Sequence, residues 1–373
     1  MPATAPVVGV LGSAGAYGRW MTRFFGEHMG LRVLGHDPAD PASLPLGQLL
    51  DEAAVLVFSV PIRATVDVIA GCVAASAGCE AGRLWLDLTS IKQAPVQAML
   101  ASGAEVVGLH PMSAPPKAPT LRGRTLAVCE ARLGQWRPWL ATLLQALEAE
   151  CVHIAPEQHD RAMALVQGLV HAGHLGQAAV LRGHADDGLD PARLLALRTV
   201  GYELDLATSA RMLSLNPAIY EDIQFCNPHV PQVLQDLAGH LGRLRDTVAR
   251  GDEAARQAFR ADFQASREAF GQRLLEEGNY TFERAGYLLA DLASPALAVH
   301  LPQDQTGALR RLLEAFEREG INLASIHSSR TPEGQVHFRI GFDPATPPQR
   351  LQAAIAAIDG QLGVVIAPLS RQA

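Results

Sequence analysis

Charged residues are scarce in this chain: they make up 18% of its 373 residues, against about 25% in an average globular domain. Lys and Arg number 31 and Asp and Glu 38, so the formal net charge is −7. A nucleic-acid-binding protein usually has a basic face, which this composition does not offer, so we expect no nucleic-acid partner. Apolar residues make up 48%, which excludes a disordered chain and allows a large core.

Cysteines are few, and no Cys-x-x-Cys pair occurs among the five. Their scatter through apolar stretches predicts reduced thiols in a reducing compartment. The first residues lack the basic stretch and cleavage site of a secretory signal. The longest apolar run, residues 53–62, is far shorter than the roughly 20 residues that span a bilayer. We therefore expect a cytoplasmic protein with no membrane partner.

The chain divides into three segments of different texture, in line with two or three domains for its length. In segment 1–154, short β-like runs alternate with helical stretches, which predicts a parallel α/β sheet of the Rossmann-like kind. The expected strands are residues 7–11, 32–35, 55–60, 84–88, 106–109 and 125–129.

The remaining segments contain no further α/β alternation of this kind. Segment 155–293 repeats apolar residues at helical spacing and reads as an all-α bundle. Its expected helices are residues 165–181, 194–213, 233–248 and 254–275, and Asp190-Pro191 and Asn216-Pro217 fit helix starts. Segment 294–373 has the order βαββαβ, a ferredoxin-like pattern, with strands at residues 296–301, 321–328, 336–342 and 364–367 and helices at residues 308–319 and 349–358.

A glycine-rich turn follows the first expected strand. Residues 12–18 read GSAGAYG, so Ser13 stands where a strict GxGxxG motif that ends at Gly18 has its first glycine. The turn still suits a dinucleotide: Gly12 allows the tight turn, Gly15 lets a pyrophosphate approach the backbone, and Gly18 lets the helix pack on the strand. Alone, such a turn is weak evidence, because glycine-rich turns also occur where no nucleotide binds.

An acidic residue at the end of the second strand strengthens this interpretation. Asp37 lies 22 residues after Gly15, near the spacing of about 20 at which an acid binds the ribose hydroxyls. A carboxylate there would repel a 2′-phosphate, which favours NAD over NADP. The alternative is that Asp37-Pro38 is an ordinary turn.

Two polar clusters stand at the ends of neighbouring expected strands. Ser90 lies in residues 87–92, and His110 lies in residues 108–112. Ligands of open α/β sheets bind at the carboxyl ends of the strands, so both side chains are expected to face a nicotinamide. Histidine is the usual general base near neutral pH, although His110 could instead be a buried histidine bonded to backbone. A third cluster, residues 211–220, contains Arg211 in an apolar flank, which hints at a partly buried guanidinium that needs an anion.

Together these clusters resemble the prephenate dehydrogenase family, which makes 4-hydroxyphenylpyruvate for tyrosine biosynthesis. The resemblance extends over the first two segments and is carried by residues 58–62, 87–92, 108–112, 157–160 and 211–220, in matching order and spacing. It implies NAD-dependent oxidative decarboxylation of prephenate by a homodimer. The implied cofactor contacts are Gly12, Ser13, Ala14, Gly15, Ala16, Tyr17, Gly18, Asp37, Ser59, Val60 and Pro61.

The resemblance also implies roles in the reaction. His110 would bond the ring 4-hydroxyl and accept its proton, so that the rate falls as the pH drops through its pKa, and Ser90 would help to orient it. Arg211 would bind a substrate carboxylate. The other implied substrate-site residues are His174, Tyr220, Lys92 and His159.

The loop after His110 departs from the family pattern. Many members have an acidic residue six positions after the catalytic histidine, where this chain has Pro116 followed by Lys117. The resemblance therefore gives no support to tyrosine binding at the active site. Lys117 is instead a candidate cation for a substrate carboxylate.

The third segment resembles an ACT domain, a fold that often binds amino acids. Residues 306–309 and 320–323, with Leu312, Leu313 and Phe316 between them, carry the likeness, although Thr306 stands where Pro is common. An aromatic amino acid is the implied effector, and a purely structural or dimerising role is the alternative. The expected effector contacts are Asp304, Thr306, Gly307, Ala308 and Asn322.

Other interpretations remain open at this point. Arogenate dehydrogenase carries out the same chemistry on an amino side chain, and a catalytically inactive amino-acid sensor or another NAD-dependent oxidoreductase, such as a 2-hydroxy-acid enzyme, would share the fold. The helical segment could be only a dimer scaffold. The histidines of that segment lack the spacing of a zinc site, so we expect no metal.

Overall fold

The computed structural model describes residues 5–293, 295–301, 306–330, 336–362 and 365–369. The chain forms two compact units, Met1–Asp246 and Thr247–Ala373, and helix α11 runs across the boundary between them. Within the described residues, no helix combines the length and apolar character needed to cross a membrane. All five cysteines are free.

A seven-stranded sheet organises the first unit. Its strands are β1 (Val8–Leu11), β2 (Val33–His36), β3 (Val55–Phe58), β4 (Leu84–Asp87), β5 (Glu105–Pro111), β6 (Thr125–Arg132) and β7 (Glu150–His153). Their order across the sheet is β2-β1-β3-β4-β5-β6-β7. The helices that connect these strands are α1 (Ala16–Arg23), α2 (Leu46–Glu52), α3 (Ile62–Ser76), α4 (Gln93–Leu100) and α5 (Arg137–Leu147), and a π-helical turn (Phe24–His28) extends α1.

Both faces of this sheet are buried, which explains the apolar strand sequences. Along β3, Val55 and Val57 face one apolar cluster, and Leu56 and Phe58 face the other. Burying each such side chain contributes roughly 1.5–3 kcal/mol. Helices on both sides therefore hold the strands in register, and the strand ends stay at one edge.

The register aligns the carboxyl ends of four strands. Leu11 pairs with Phe58, Phe58 pairs with Asp87, and Asp87 pairs with Gly108. The glycine turn after β1 and His110 in β5 are thus three strand spacings apart, about 14 Å at roughly 4.8 Å per strand. One edge of the sheet therefore presents both groups.

The sheet is mixed, which corrects the expectation of a fully parallel one. β6 runs antiparallel to β5, and β7, which the sequence did not predict, pairs with β6 in parallel. β7 lies at the edge with every residue exposed, so its sequence carries no buried-strand signal. β5 also extends to Pro111, so His110 lies within the strand rather than after it.

The helical part begins in the first unit and continues into the second. Its helices are α6 (Pro156–Met163), α7 (Val170–Gly183), α8 (Pro191–Leu194), α9 (Val200–Ser214), α10 (Pro217–Cys226), α11 (Val230–Arg250), α12 (Glu253–Phe270) and α13 (Gln272–Ala293), and a π-helical segment (Ala164–Leu169) joins α6 to α7. The expected helix starts are confirmed, because Asp190 and Asn216 accept hydrogen bonds from backbone amides of α8 and α10. The single helix expected at residues 254–275 is wrong: Gly271, at φ +73°, ends α12.

The second unit ends in a four-stranded antiparallel sheet with two helices. The strands are β8 (Ala296–Leu301), β9 (Leu323–Arg330), β10 (Val336–Phe342) and β11 (Val365–Leu369), ordered β11-β8-β10-β9, and the helices are α14 (Ala308–Arg318) and α15 (Pro348–Leu362). The predicted βαββαβ order is confirmed. Leu312 and Phe316 of α14 pack with Val299 and Ile340 in its core.

Candidate active site

The glycine turn after β1 leaves no space for a side chain at two of its positions. Gly12 has φ +78°, and a Cβ atom there would lie 2.3 Å from the Ser59 carbonyl oxygen. A Cβ atom on Gly18 would lie 2.0 Å from the Gly12 carbonyl oxygen. The turn therefore requires glycine at both positions and brings the start of α1 against the backbone, which leaves its amide groups accessible to a phosphate.

Ser13 and Asp37 complete this turn. The serine that departs from the strict motif is accommodated by Gly35, where a Cβ atom would lie 2.7 Å from the Ser13 hydroxyl. Asp37 accepts a hydrogen bond from the Ala14 amide at 3.0 Å, so the acid that follows β2 is fastened to the turn. Because a carboxylate offers about four acceptor positions, it can still bind a ribose diol. These residues fit a dinucleotide.

The loop after β5 is held by α1. The Tyr17 hydroxyl donates to the Ser113 carbonyl, and burial raises the pKa of Tyr17 to about 12. The Trp20 indole donates to the Ala118 carbonyl at 3.0 Å. Tyr17 therefore fixes the loop, and Lys117 on that loop is exposed.

Three further expected cofactor contacts follow β3 at the same edge of the sheet. Ser59 and Val60 are half-buried and Pro61 is exposed. The Ser59 amide donates to the Leu11 carbonyl at 2.9 Å, so this segment lies beside the turn.

A buried ion pair stands between β4 and β5. The Lys92 ammonium bonds the Asp87 carboxylate and also donates to the Leu109 carbonyl at 2.8 Å, and both charged side chains are 0% exposed. Gly108 makes room for the pair, because a Cβ atom there would lie 2.9 Å from the Lys92 Cδ atom. The ion pair thus fixes the backbone immediately before His110.

Three buried residues form a hydrogen-bonded chain that ends at His110. The His110 Nδ1 atom lies 2.9 Å from His159 Nε2, and His159 Nδ1 lies 2.8 Å from Asp160 Oδ1. His110 is 3% exposed, and His159 and Asp160 are each 1% exposed. Among the described residues, His110 Nε2 has no hydrogen-bond partner, which leaves that nitrogen for a ligand.

Burial and the positive charge of Lys92 keep this histidine neutral. Burial lowers the pKa of His110 well below its ordinary value, and Lys92 lowers it further. Asp87, Asp160 and the Cys129 thiol are further titratable groups near this cluster. A neutral imidazole at neutral pH can accept a proton, as a general base must.

The structure gives the surroundings of several expected contacts. Lys92 and His159, expected in the substrate site, are fully buried and bond protein groups. Ser90 makes no hydrogen bond to His110 in the described structure, where His159 orients the imidazole. Arg211 is exposed rather than partly buried, and within the described ranges no carboxylate pairs with it.

A polar face of the helical part carries unpaired buried atoms. Gln167 Oε1, His171 Nδ1 and His174 Nδ1 have no hydrogen-bond partner in the part of the chain that the structure describes, and they lie at helical spacing on one side of the segment that includes α7. The His171 ring packs edge-on against Tyr220, with centroids 4.9 Å apart. Sequence reasoning selected His174 and Tyr220 and passed over His171. The π-helical segment before α7, a feature frequent at functional sites, contains Gln167.

Sequence reasoning also assigned no role to the polar groups that join helices to the sheet domain. Asp160 accepts from the Lys92 and Gln93 amides at 2.7 and 2.9 Å, and Asn227 donates to the Asp160 carbonyl at 2.7 Å. The spacing of Asn227 does not distinguish it from a surface polar residue. For Asp160, the one available signal in the sequence was that it directly follows His159.

Three of the expected effector contacts lie at the start of α14, and Asn322 precedes β9. Asp304 lies outside the described residues. Thr306 and Gly307 are exposed, Gly307 has φ +82°, Ala308 is buried, and Asn322 is exposed.

A glycine turn and a buried, neutral histidine at one edge of a Rossmann-like sheet define a dinucleotide-dependent oxidoreductase. Family models add independent evidence. "Prephenate dehydrogenase, nucleotide-binding domain" matches residues 43–154, "Prephenate dehydrogenase, dimerization domain" matches residues 155–263, and "ACT domain" matches residues 296–359. The first match begins after the glycine turn and Asp37.

Individual proteins agree with these matches. The chain is 30% identical over 272 residues to the T-protein of Enterobacter agglomerans, covering 72% of this chain and 69% of that protein. It is 30% identical to 4-amino-4-deoxyprephenate dehydrogenase of Streptomyces pristinaespiralis, covering 70% of this chain and 90% of that one. The crystal structure of prephenate dehydrogenase from A. aeolicus, in complex with hydroxyphenyl propionate and NAD+, covers 73% of this chain and all of its own, with 16% identity and a TM-score of 0.57.

The chain belongs to the prephenate dehydrogenase family and has a C-terminal ACT domain. It is an oxidoreductase of the prephenate/arogenate dehydrogenase type. The predicted family, the Rossmann-like, all-α and ACT architecture and the nucleotide-binding domain are therefore confirmed.

The glycine turn generates a first prediction. Gly18→Ala should cost about 1–3 kcal/mol of unfolding free energy, because its Cβ atom meets backbone that must shift. NAD affinity should fall at least tenfold. Urea denaturation and a fluorescence titration with NAD measure the two effects. Gly71→Ala in α3 is the control: it meets nothing within 4 Å and should leave both quantities nearly unchanged or raise stability slightly. Equal stability and equal NAD affinity in Gly18→Ala and Gly71→Ala would contradict the assignment of the glycine turn as the dinucleotide site.

The buried ion pair generates a second prediction. Lys92→Met should destabilise the fold by about 3–5 kcal/mol, because Asp87 is left buried without its counter-charge. The double variant Asp87→Asn with Lys92→Met should regain a substantial part of this loss. Arg32→Met, which breaks the exposed pair with Glu52, is the control and should cost under about 1 kcal/mol by urea denaturation. A Lys92→Met cost as small as that of the control would refute the role given to the pair.

Proposed function

We propose that this protein oxidises and decarboxylates prephenate to 4-hydroxyphenylpyruvate, with NAD as the cofactor. The observation that carries the proposal is the unpartnered Nε2 atom of buried His110 at the same sheet edge as the glycine turn. A neutral nitrogen in that place can take the proton of a ring hydroxyl. A catalytically inactive sensor would have no need of such a base.

NAD supplies the acceptor for the hydride that leaves the carbon bearing the hydroxyl. His110 takes the hydroxyl proton on Nε2, so that the O–H electron pair forms the carbonyl. The ring carboxylate then leaves as carbon dioxide. Its bonding electrons make the ring aromatic and turn the carbonyl into a phenolate, which takes back the proton held by His110. Because aromatisation drives the reaction, the protein chiefly positions the reacting groups and excludes water.

Arg211 is the proposed partner of a substrate carboxylate. Its guanidinium lies at the end of α9, exposed and without a carboxylate partner in the described structure. A planar guanidinium bonds a carboxylate in a bidentate manner. Lys117 is the second candidate cation, and Ser90 is proposed to contact the reacting hydroxyl or the nicotinamide.

The polar face of the helical part favours a keto side chain. His174 and His171 present unpaired nitrogens, and burial lowers the pKa of His171, so that imidazole tends to stay uncharged. An uncharged His171 suits the carbonyl of prephenate, whereas the ammonium of arogenate would call for an acid. Tyr220, against His171, is proposed to line the same subsite. Arogenate remains the second candidate substrate.

We further propose a homodimer formed through the helical part. Leu197, Phe225 and Leu213 are 84%, 86% and 65% exposed, and such apolar surface is usually covered by a partner. The proposed domain boundaries are 1–154, 155–293 and 294–373, and the enzyme is expected in the cytoplasm. The ACT domain is proposed to bind an aromatic amino acid at Asp304, Thr306, Gly307, Ala308 and Asn322.

The assay that tests the proposal follows NADH formation with prephenate and, separately, arogenate. We expect turnover with prephenate, with kcat/KM at least tenfold above that for arogenate. L-tyrosine in a parallel run is expected to lower the rate. Gly307→Ala, which strains an exposed backbone position of the ACT domain at φ +82°, should weaken the tyrosine effect and leave the uninhibited rate unchanged.

Each outcome decides one part of the proposal. A preference for arogenate would overturn the substrate assignment but not the reaction. A folded protein that binds NAD and turns over neither substrate would refute the catalytic proposal and favour a sensor. If L-tyrosine leaves the rate unchanged, tyrosine is not the effector of the ACT domain.

A further inference from the structure

We infer that His159 and Asp160 are positioning residues that fix which nitrogen of His110 acts as the base. This inference rests on the proposed function and deepens it. The three side chains form an unbroken buried chain, with 2.9 Å between the two imidazoles and 2.8 Å from His159 to Asp160. The groups therefore follow in the order Asp160 carboxylate, His159 imidazole and His110 imidazole, with His110 Nε2 left to face a ligand.

The location of each proton follows from the acceptor at the end of the chain. An ionised carboxylate only accepts hydrogen bonds, so His159 Nδ1 must carry a proton to bond Asp160. With His159 as a neutral imidazole, its one N–H is on Nδ1, and His159 Nε2 is therefore an acceptor. The atom facing it, His110 Nδ1, must then be the donor, which leaves the lone pair of His110 on Nε2.

The carboxylate that sets this order cannot turn away. Asp160 Oδ1 also accepts from the Lys92 amide at 2.7 Å, and Oδ2 accepts from the Gln93 amide at 2.9 Å. Asn227 holds the backbone carbonyl of the same residue at 2.7 Å. Both oxygens are thus engaged by backbone donors that cannot rotate, and His159 has a single way to complete the set.

The same chain offsets the charge that forms during the reaction. When His110 takes the substrate proton, it becomes an imidazolium in a buried site next to the Lys92 ammonium. Asp87 already neutralises that ammonium. Asp160, reached through His159, is the carboxylate left to stabilise the new cation. The effect acts on the transition state rather than on substrate binding.

Ser90 and a purely structural role are the alternatives to this arrangement. In the described structure the Ser90 hydroxyl makes no hydrogen bond to the imidazole, so it does not select the tautomer of His110. A structural role would require only that His159 fill space and cap Asp160. A positioning role of His159 and a purely structural one predict different results. Only loss of the positioning role lowers kcat in a folded protein and changes which nitrogen of His110 carries the proton.

The first experiment compares His159→Leu with His159→Gln. The leucine removes both hydrogen bonds, and we expect kcat to fall about 10²-fold or more, with KM for prephenate and for NAD changed less than about threefold. The glutamine can place its carbonyl oxygen near the position of Nε2 and accept from His110, so we expect kcat within about tenfold of the parent. His153→Leu, at an exposed histidine of β7, is the matched control and should be unchanged.

The second experiment needs no activity. Nitrogen-15 NMR of histidine-labelled protein, with His110 assigned through His110→Asn, reports which nitrogen carries the proton. We expect the Nδ1–H form in the parent and a mixture of forms in His159→Leu. If His159→Leu does not fold, His159→Gln decides instead. The inference then predicts that His110 keeps its proton on Nδ1 and that kcat falls less than tenfold.

The outcomes separate the two proposals. An Nε2–H form of His110 in the parent would overturn this inference whatever the activity, and so would a folded His159→Leu enzyme with kcat within threefold of the parent. An Nδ1–H form in a protein that turns over no prephenate would leave the chain intact and refute the proposed function instead.

Discussion

The rest of the site depends on the Asp160 carboxylate. It lies in α6, yet it accepts hydrogen bonds from the two backbone amides that begin α4, beyond the carboxyl end of β4. It therefore joins the helical part to the sheet and, through His159, orients the imidazole of His110. Burying this charge would be costly alone, and three donors offset the loss of water. One residue thus links the fold to the chemistry.

The two ends of the reaction site are held by different physical means. At the cofactor end, Gly12 and Gly18 act by lacking side chains, so the turn lies against Ser59. At the substrate end, the buried pair of Asp87 and Lys92 fixes the strand that carries the base. Sheet register sets the distance between the ends, because each strand adds one spacing. Mobile parts are not needed to bring the groups together.

Much of the fold was predictable because local sequence patterns indicate its strands, turns and helix starts. Alternating apolar runs, glycines and Asn-Pro or Asp-Pro starts marked most strands and helices. β7 escaped because its side chains are exposed, and the antiparallel direction of β6 has no local signature. In the site, His110 was found from its place near a strand end. Its orienting partner was not, because hydrogen bonding between His110 and His159 depends on tertiary packing across 49 residues. For Arg211, the apolar neighbours in the sequence predicted partial burial, but the side chain is exposed.

The central claim is that a buried, neutral His110 acts as the base, and the pH dependence of kcat/KM for prephenate tests it most directly. Because the base must be unprotonated, the rate is full above its pKa and is lost as the pH falls through it. Burial lowers that pKa well below the ordinary value of 6.5, so we expect a flat profile from pH 8 down past 6.5 and a decline only below it. His110→Asn should be slower by at least about 10²-fold and lack this decline. A parent profile that falls at or above pH 6.5, or the same profile in His110→Asn, would contradict the account.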